Sequence, residues 1–465
     1  MTPGARIQAA IDLLTEIHGG SAPADRTSAA FFRNRRYIGG SDRRAILDHA
    51  YAVLRQMAKI DWWIGEFQSE QGLPHLERAR VIAKLALIDG WTADKIAGSF
   101  DGGDYRPKQL NRTERSFAGF LETADFKAGA QPKWVRFEYP HWIEKSLVKR
   151  FGPNFEQEMA AQIEEAATDL RTNSLKATRE QALEALAAAD IKAAPTNLSP
   201  LGIRVEGRPP MGALKCFQDG LIEVQDEGSQ LAALLVDARP GQRVVDFCAG
   251  AGGKTLAIAA AMKNKGKIVA CDTLKGRVER AGDRLKRAGA FNVERKGLES
   301  ERDPWVKRHA GSFDRVLVDA PCSGTGTWRR NPDAKWRLER EDLPRLVALQ
   351  ASILDSAQRL VKPGGRLVYA TCSLLGEEND GQVDAFLASH PDFSRVPVAD
   401  VWREVIGTEC PADGPTLSLT PLRHGTDGFF VAIMERQAAA KAADSGGSED
   451  APQDTPGPAV DTDQA

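Results

Sequence analysis

Asp246-Phe247-Cys248-Ala249-Gly250-Ala251-Gly252-Gly253-Lys254-Thr255 is the stretch that decides the fold. It closes a short apolar run, Arg243–Phe247, and opens a helix from about Lys254. A strand ending in an acid, then a glycine-rich turn into a helix, lets a ligand approach the backbone and meet the helix N-terminus. Gly-Lys-Thr at the end of the run invites comparison with a P-loop. That motif needs a glycine where Cys248 stands, so a nucleotide triphosphate loop is set aside. Asp272 lies 22 residues beyond Gly250 and ends the next predicted strand, Lys267–Cys271. A carboxylate at that distance accepts hydrogen bonds from ribose hydroxyls. The loop and Asp272 together predict ribose binding, as in dinucleotide folds; in the same geometry S-adenosylmethionine presents an adenosine ribose but no pyrophosphate.

Outward from this loop, strands and helices alternate from about Leu231 to Arg436, which predicts a Rossmann-like, doubly wound, mostly parallel α/β sheet. Phe313–Asp319 reads as a buried strand, and Leu343 to Val361 as a long amphipathic helix stopped at Lys362-Pro363-Gly364-Gly365. Strands then follow at Arg366–Thr371 and Gly428–Met434. Two further motifs sit at strand ends. Asp319-Ala320-Pro321-Cys322-Ser323-Gly324-Thr325-Gly326 follows the Phe313 strand, and Tyr369-Ala370-Thr371-Cys372-Ser373 ends the next. Open α/β sheets bind ligands at this carboxyl edge. A lone cysteine is ordinarily a small core residue. Two of them at the ends of two strands beside one crevice point instead to thiol chemistry, since a thiol is a strong nucleophile once ionised.

Upstream, Met1 to about Ala130 shows only helical spacing, as in Ile7, Ile11, Leu14, Ile17 and in Ile46, Ala50, Val53, Leu54. Residues 131–230 read as a small α+β domain. Strands are expected at Trp134–Tyr139, Leu170–Thr178 and Ile203–Glu206, helices at His141–Arg150, Phe155–Ala167 and Arg179–Ala188, and a loop at Ala194–Gly202. The predicted domains are therefore 1–130, 131–230 and 231–436, with 437–465 a disordered acidic tail. Arg33, Arg35, Arg36, Arg43 and Arg44, the basic helix after Asp272, and Trp328-Arg329-Arg330 with Lys335-Trp336-Arg337 are candidate RNA contacts, because basic and aromatic side chains hold phosphates and stack bases.

Composition limits the alternatives. With 42% hydrophobic and 27% charged residues over 465 positions, the chain can bury sizeable cores. No apolar run approaches the ~20 residues of a membrane span. The N-terminus carries Asp12 among its apolar residues and lacks the uninterrupted run of a secretory leader. Six scattered cysteines without a CxxC pair exclude a zinc ribbon and a disulfide scaffold and predict reduced thiols in a cytoplasm. No metal site is expected. The net charge of −2 conceals an asymmetry: residues 441–465 hold six acids and one base, leaving a body of +3 that suits a polyanionic partner.

These motifs resemble the Nop/Sun class of RNA (cytosine-5)-methyltransferases, especially the bacterial small-subunit rRNA enzymes. The resemblance is carried by DFCAGAGGKT at 246–255, DAPCSGTGTWRRNPD at 319–333 and KPGGRLVYATCSLLGEEN at 362–379. It extends to Leu170-Arg171-Thr172-Asn173 and Gln225-Asp226-Glu227-Gly228-Ser229, covering about residues 131–436. The helical first segment is similar to the antitermination-factor-like domain of some of these enzymes. The resemblance implies methyl transfer from S-adenosylmethionine to carbon-5 of a cytosine in RNA, with Cys372 as nucleophile and Cys322 assisting release. It assigns cofactor binding to Cys248, Ala249, Gly250, Ala251, Gly252, Gly253, Lys254, Asp272 and Asp319, with Asp319 also orienting the cytosine edge. Where the family's third strand ends in an aspartate near the adenine, Leu298 stands here. The implied partner is 16S-type ribosomal RNA and the implied enzyme a monomer. Transfer RNA, or a catalytically silent assembly factor of the same fold, are the competing readings.

Overall fold

A computed structural model describes residues 1–67, 72–73, 75–124, 131–438 and 457. The predicted acidic tail lies outside the described residues from position 439 onward, Gly457 excepted. Among the described residues of the first segment there are seven helices and no strand, from Pro3–Gly19 to Arg112–Glu122. The apolar positions named above form its core: Ile7, Leu14, Ile46, Ala50 and Val53 are fully buried. Local chemistry sets the helix starts. Thr2 caps the first helix ahead of Pro3, and Asn111 with Glu114 forms a reciprocal capping box at the last.

The next segment departs from expectation at its start. Trp134–Tyr139 is aromatic enough to read as a strand, yet Lys133–Arg136 is one helical turn. Phe137 N–H donates back to the Lys133 carbonyl, and Glu138 takes a positive φ of 57°, which ends the turn. Its aromatic residues pack around Tyr139, Ile143, Leu147 and Phe155 instead of a sheet. The helix predicted to Ala167 stops at Ala161. Four strands follow: β1 (Thr168–Thr172), β2 (Ala193–Pro195), β3 (Gly202–Val205) and β4 (Ile222–Val224). They form an antiparallel sheet in the order β2-β3-β1-β4. The stretch expected to be all loop thus supplies the edge strand β2, and Leu170–Thr178 is extended only to Thr172.

The large sheet contains β5 (Arg243–Asp246), β6 (Lys267–Asp272), β7 (Val293–Gly297), β8 (Phe313–Asp319), β9 (Val361–Thr371), β10 (Phe393–Val396), β11 (Leu417–Leu419) and β12 (Phe429–Arg436). The strand order is β10-β12-β9-β8-β5-β6-β7, with β11 added onto β12. Strands β9-β8-β5-β6-β7 run parallel and β12 returns antiparallel beside β9. This is the doubly wound α/β sheet expected from the sequence. The Lys362–Gly365 stop belongs to β9 itself: Gly364 adopts φ 72°, and the β8–β9 register is irregular between Phe313 and Arg315. Apolar clusters cover both faces of the sheet, one around Leu256, Ile268 and Val431, the other around Val316, Tyr369 and Phe430. No helix among the described residues is long and apolar enough to cross a membrane.

Much of Trp328–Arg337, expected to face RNA, is turned into the protein, with Asn331 and Arg337 left exposed. Trp328 is 1% exposed and Lys335 2%. Lys335 Nζ donates to the Arg55 carbonyl at 3.0 Å, and Trp336 Nε1 to the Leu54 carbonyl at 3.0 Å. Arg55 in turn donates to the Arg329 carbonyl at 2.8 Å. Arg330 binds Asp427 at 2.6 Å, Asp226 at 2.9 Å and the Ala167 carbonyl at 2.8 Å. The segment ties the helical bundle and the small sheet to the large one. Arg330→Ala strands two buried carboxylates without their cation. Because Arg330 retains 30% side-chain exposure, the expected loss is on the order of 2 kcal/mol rather than the larger cost of a fully buried pair. Chemical denaturation of the apoprotein measures it; an unchanged midpoint would return Arg330 to the solvated surface.

Candidate active site

Sheet register brings the two cysteines together. Strands β8 and β9 are parallel neighbours with Asp319 opposite Ala370. Cys322 lies three residues past Asp319 and Cys372 two past Ala370, so both emerge over the same sheet edge. Their sulfurs are 3.4 Å apart. The two loops are also bonded directly: Ala320 N–H donates to the Ala370 carbonyl and Gly326 N–H to that of Cys372, each at 2.9 Å. The hydrogen bond with Cys372, followed by burial, pushes the Cys322 thiol well above its ordinary range. Cys322 is thereby held as a thiol beside its neighbour.

The glycine-rich loop crosses from β5 to the helix Gly253–Ala261. Ala249 N–H donates to the Cys271 carbonyl at 2.8 Å, anchoring the loop to β6. Gly250 and Gly252 take φ of 54° and 80°, left-handed conformations that favour glycine. At Gly252 a Cβ would also lie 3.2 Å from that of Ala281. Asp272, 9% exposed at the end of β6, accepts from Gly250 N–H at 2.8 Å and from Leu274 N–H at 2.7 Å. A carboxylate has about four acceptor sites, so lone pairs remain for a ribose hydroxyl. Cys248 is half-buried by side chain and its thiol is pushed up by burial, which fits a wall residue rather than a nucleophile.

Lys254 links this loop to the thiol side. Its Nζ donates to Asp319 Oδ2 at 2.7 Å and lies 5.3 Å from the Phe429 ring centroid. Burial works against the lysine's charge, but the adjacent Asp319 carboxylate overrides it and raises the group above its usual range. All the predicted residues except Gly252 line one cavity of about 870 Å³, which contains the loop, Asp272, Lys254, Asp319 and both thiols. Leu298, 1% exposed, forms part of its apolar wall with Leu349 and Ile353. A cleft of about 1000 Å³ runs along β2 and the helix Arg179–Ala187, and contains none of the predicted site residues. No group of three or more His, Cys, Asp or Glu among the described residues is arranged to hold a metal ion.

Sequence reasoning quoted Asp246 and Glu378 within its motifs but gave neither a role of its own. Asp246 is buried beneath the loop, accepts the Thr255 hydroxyl at 2.6 Å through Oδ2, and leaves Oδ1 without a partner. Burial pushes its carboxyl up to about 7, against the smaller opposing effect of the Thr255 bond. A carboxyl raised on folding binds its proton more tightly in the native state. Its contribution to stability is therefore lost as pH rises from about 4 to about 7. Asp246→Asn should flatten the pH dependence of unfolding between about pH 5 and 7 by on the order of 2 kcal/mol. Denaturation midpoints of both proteins across that window test this; parallel curves would mean that Asp246 does not titrate there.

Residues 233–435 match the family described as 16S rRNA methyltransferase RsmB/F, and residues 139–211 match its ferredoxin-like domain. The ribosomal RNA small subunit methyltransferase B of Sodalis glossinidius is 32% identical over 426 residues, spanning 87% of this chain and 92% of that protein. This chain belongs to the RsmB/F family. The enzyme of the same name from Salmonella newport is also 32% identical, over 85% of this chain and 91% of its own. Among solved structures, PH0851 superposes with a TM-score of 0.73 at 28% identity, covering 94% of this chain and 99% of that one. A methyltransferase homologue from Pyrococcus horikoshii, 26% identical, covers 65% of this chain and 97% of its own with a TM-score of 0.56. Membership makes this chain an S-adenosylmethionine-dependent rRNA methyltransferase. The loop fits that cofactor: the positive-φ glycines open the backbone, Asp272 offers an acceptor, and Leu298 with Ile353 offers an apolar wall.

Proposed function

We propose that this RsmB/F protein methylates carbon-5 of a cytosine in 16S-type ribosomal RNA, in the cytoplasm, through a covalent adduct on Cys372. The observation that carries this reading is the pair of strand-end thiols 3.4 Å apart in the cavity that also contains the cofactor loop. When bound, S-adenosylmethionine supplies an electrophilic methyl carbon and leaves as S-adenosylhomocysteine.

Carbon-5 of cytosine is a poor nucleophile until carbon-6 is attacked. The Cys372 thiolate forms a bond to carbon-6, and the displaced π pair makes carbon-5 nucleophilic toward the methyl carbon. After transfer, a base removes the carbon-5 proton; that C–H pair restores the ring double bond and expels the Cys372 thiolate. Cys322 is assigned to this release step: its thiol proton passes to the departing Cys372 sulfur 3.4 Å away, and the Cys322 thiolate so formed is the base that takes the carbon-5 proton. The assignment of attack to Cys372 and release to Cys322 follows the family that the motifs at 319–333 and 362–379 resemble. Asp319, fixed by Lys254, presents a carboxylate to the exocyclic amine and ring edge of a base that has left its stack.

Bisulfite sequencing of 16S rRNA from cells with and without the gene tests the assignment. One cytosine should lose its protection when the gene is absent. An unchanged 16S pattern with a cytosine lost from transfer RNA would favour the alternative substrate.

A further inference from the structure

The residue after each cysteine is a serine, and both serines bind the same buried carboxyl group. Glu378 is fully buried in the short 3-10 turn that follows β9. Its Oε1 accepts Ser323 N–H at 2.8 Å and Gln350 Nε2 at 3.0 Å. Its Oε2 accepts the hydroxyls of both Ser323 and Ser373. Four donors thus converge on two oxygens, the full capacity of a carboxylate. The two serine oxygens, each donating its one hydrogen to Glu378, lie 3.2 Å apart, and Ser373 Oγ accepts Leu375 N–H at 3.0 Å. Glu378 is itself held by its carbonyl, which accepts the Tyr369 hydroxyl at 2.7 Å from inside β9. The next residue, Asn379, closes the loop by accepting from Thr371 Oγ1 and donating to the Ser373 carbonyl at 2.9 Å.

We infer that Glu378 is a positioning residue that sets the distance between the Cys322 and Cys372 sulfurs. Besides Glu378, the two loops are linked by backbone bonds through Ala320 and Gly326 and by Thr325 Oγ1, which accepts Leu374 N–H at 2.8 Å. Glu378 is the group that fixes the residues directly after the thiols to one point. It is fully buried and does not line the cavity that contains the thiols, and it acts by holding two reactive groups in register. The inference rests on the two-thiol reading for its catalytic consequence, but the spacing itself can be measured without RNA or methyl donor.

Disulfide formation between Cys322 and Cys372 serves as the ruler, because the sulfurs must close from 3.4 Å to a bond of about 2.05 Å. Diamide takes the two thiol hydrogens and is reduced to its hydrazine, and peptide mass mapping identifies the Cys322–Cys372 linkage. In Glu378→Gln that linkage should form at least ~10-fold more slowly, while S-adenosylmethionine binding, read by calorimetry, stays within about twofold of the parent. Methyl transfer should lose about 100-fold in kcat with little change in KM for RNA, the signature of misplaced reacting groups. Glu378→Asp, which keeps the charge but retracts it, should fall between the two.

An unchanged linkage rate in a Glu378→Gln protein that still binds the cofactor would overturn the inference. Should that variant fail to bind it, Ser373→Ala removes one hydroxyl donor and leaves the carboxyl in place. Slower linkage there sustains the positioning role, and an unchanged rate overturns it. Slowed linkage alongside a parent that methylates no cytosine would sustain the positioning role and reject the proposed reaction, so the two failures are separable.

Discussion

Cys372→Ala should make neither methylated RNA nor a covalent RNA adduct, whereas Cys322→Ala should accumulate one. The two thiols are 3.4 Å apart in one cavity, so proximity does not distinguish them. The order of roles comes from the resemblance of the two motifs to the family, which gives the attack to Cys372 and the release to Cys322. If Cys372 attacks carbon-6, its loss removes the first bond of the reaction. If Cys322 serves release, its loss lets addition and methylation proceed and then stalls the enzyme with RNA attached. A denaturing gel separates the outcomes by a slowly migrating protein–RNA band. That band should require S-adenosylmethionine, because the unmethylated adduct can simply revert. An adduct in Cys372→Ala and none in Cys322→Ala would exchange the roles. Full activity in both would return the thiols to packing.

Asp272→Ala should weaken S-adenosylmethionine binding by ~10- to 150-fold, the cost of removing about 1.5–3 kcal/mol of hydrogen bonding to a charged acceptor. Two effects contribute. The carboxylate presents free lone pairs to the cavity, and it also fixes the loop through Gly250 N–H and Leu274 N–H. Asp272→Asn keeps one acceptor and should lose less. Calorimetry on the folded variants measures both, and an unchanged affinity in Asp272→Ala would remove Asp272 from the cofactor site.

The parts of this molecule that were legible in its sequence are those set by local pattern. Val244 and Val245 ahead of the glycine-rich turn, and the apolar run before Asp319, announce strands that end at the site. Parallel pairing then carries Cys322 and Cys372 together, a consequence of topology that two strand-end motifs already imply. What escaped is held by partners distant in the chain. Arg330 looks like a phosphate contact beside Trp328 and Arg329, but its partners Asp226 and Asp427 lie 104 and 97 residues away. Glu378 stands near the end of the 362–379 motif with nothing local to single it out from its neighbour Glu377. Its meaning comes from Ser323, 55 residues upstream, and from complete burial. Trp134–Tyr139 misled in the opposite sense: its aromatic residues suit a strand, but they pack in an apolar cluster around Tyr139 and Phe155.

Release of the carbon-5 hydrogen is the most direct test of the proposed chemistry. Ribosomal RNA labelled with tritium at cytosine carbon-5 should release tritium to water when incubated with the protein and S-adenosylmethionine, one tritium for each methyl group transferred. Cys372→Ala should release none. Methyl incorporation without tritium release would place the methyl group on another atom and contradict a covalent carbon-5 mechanism.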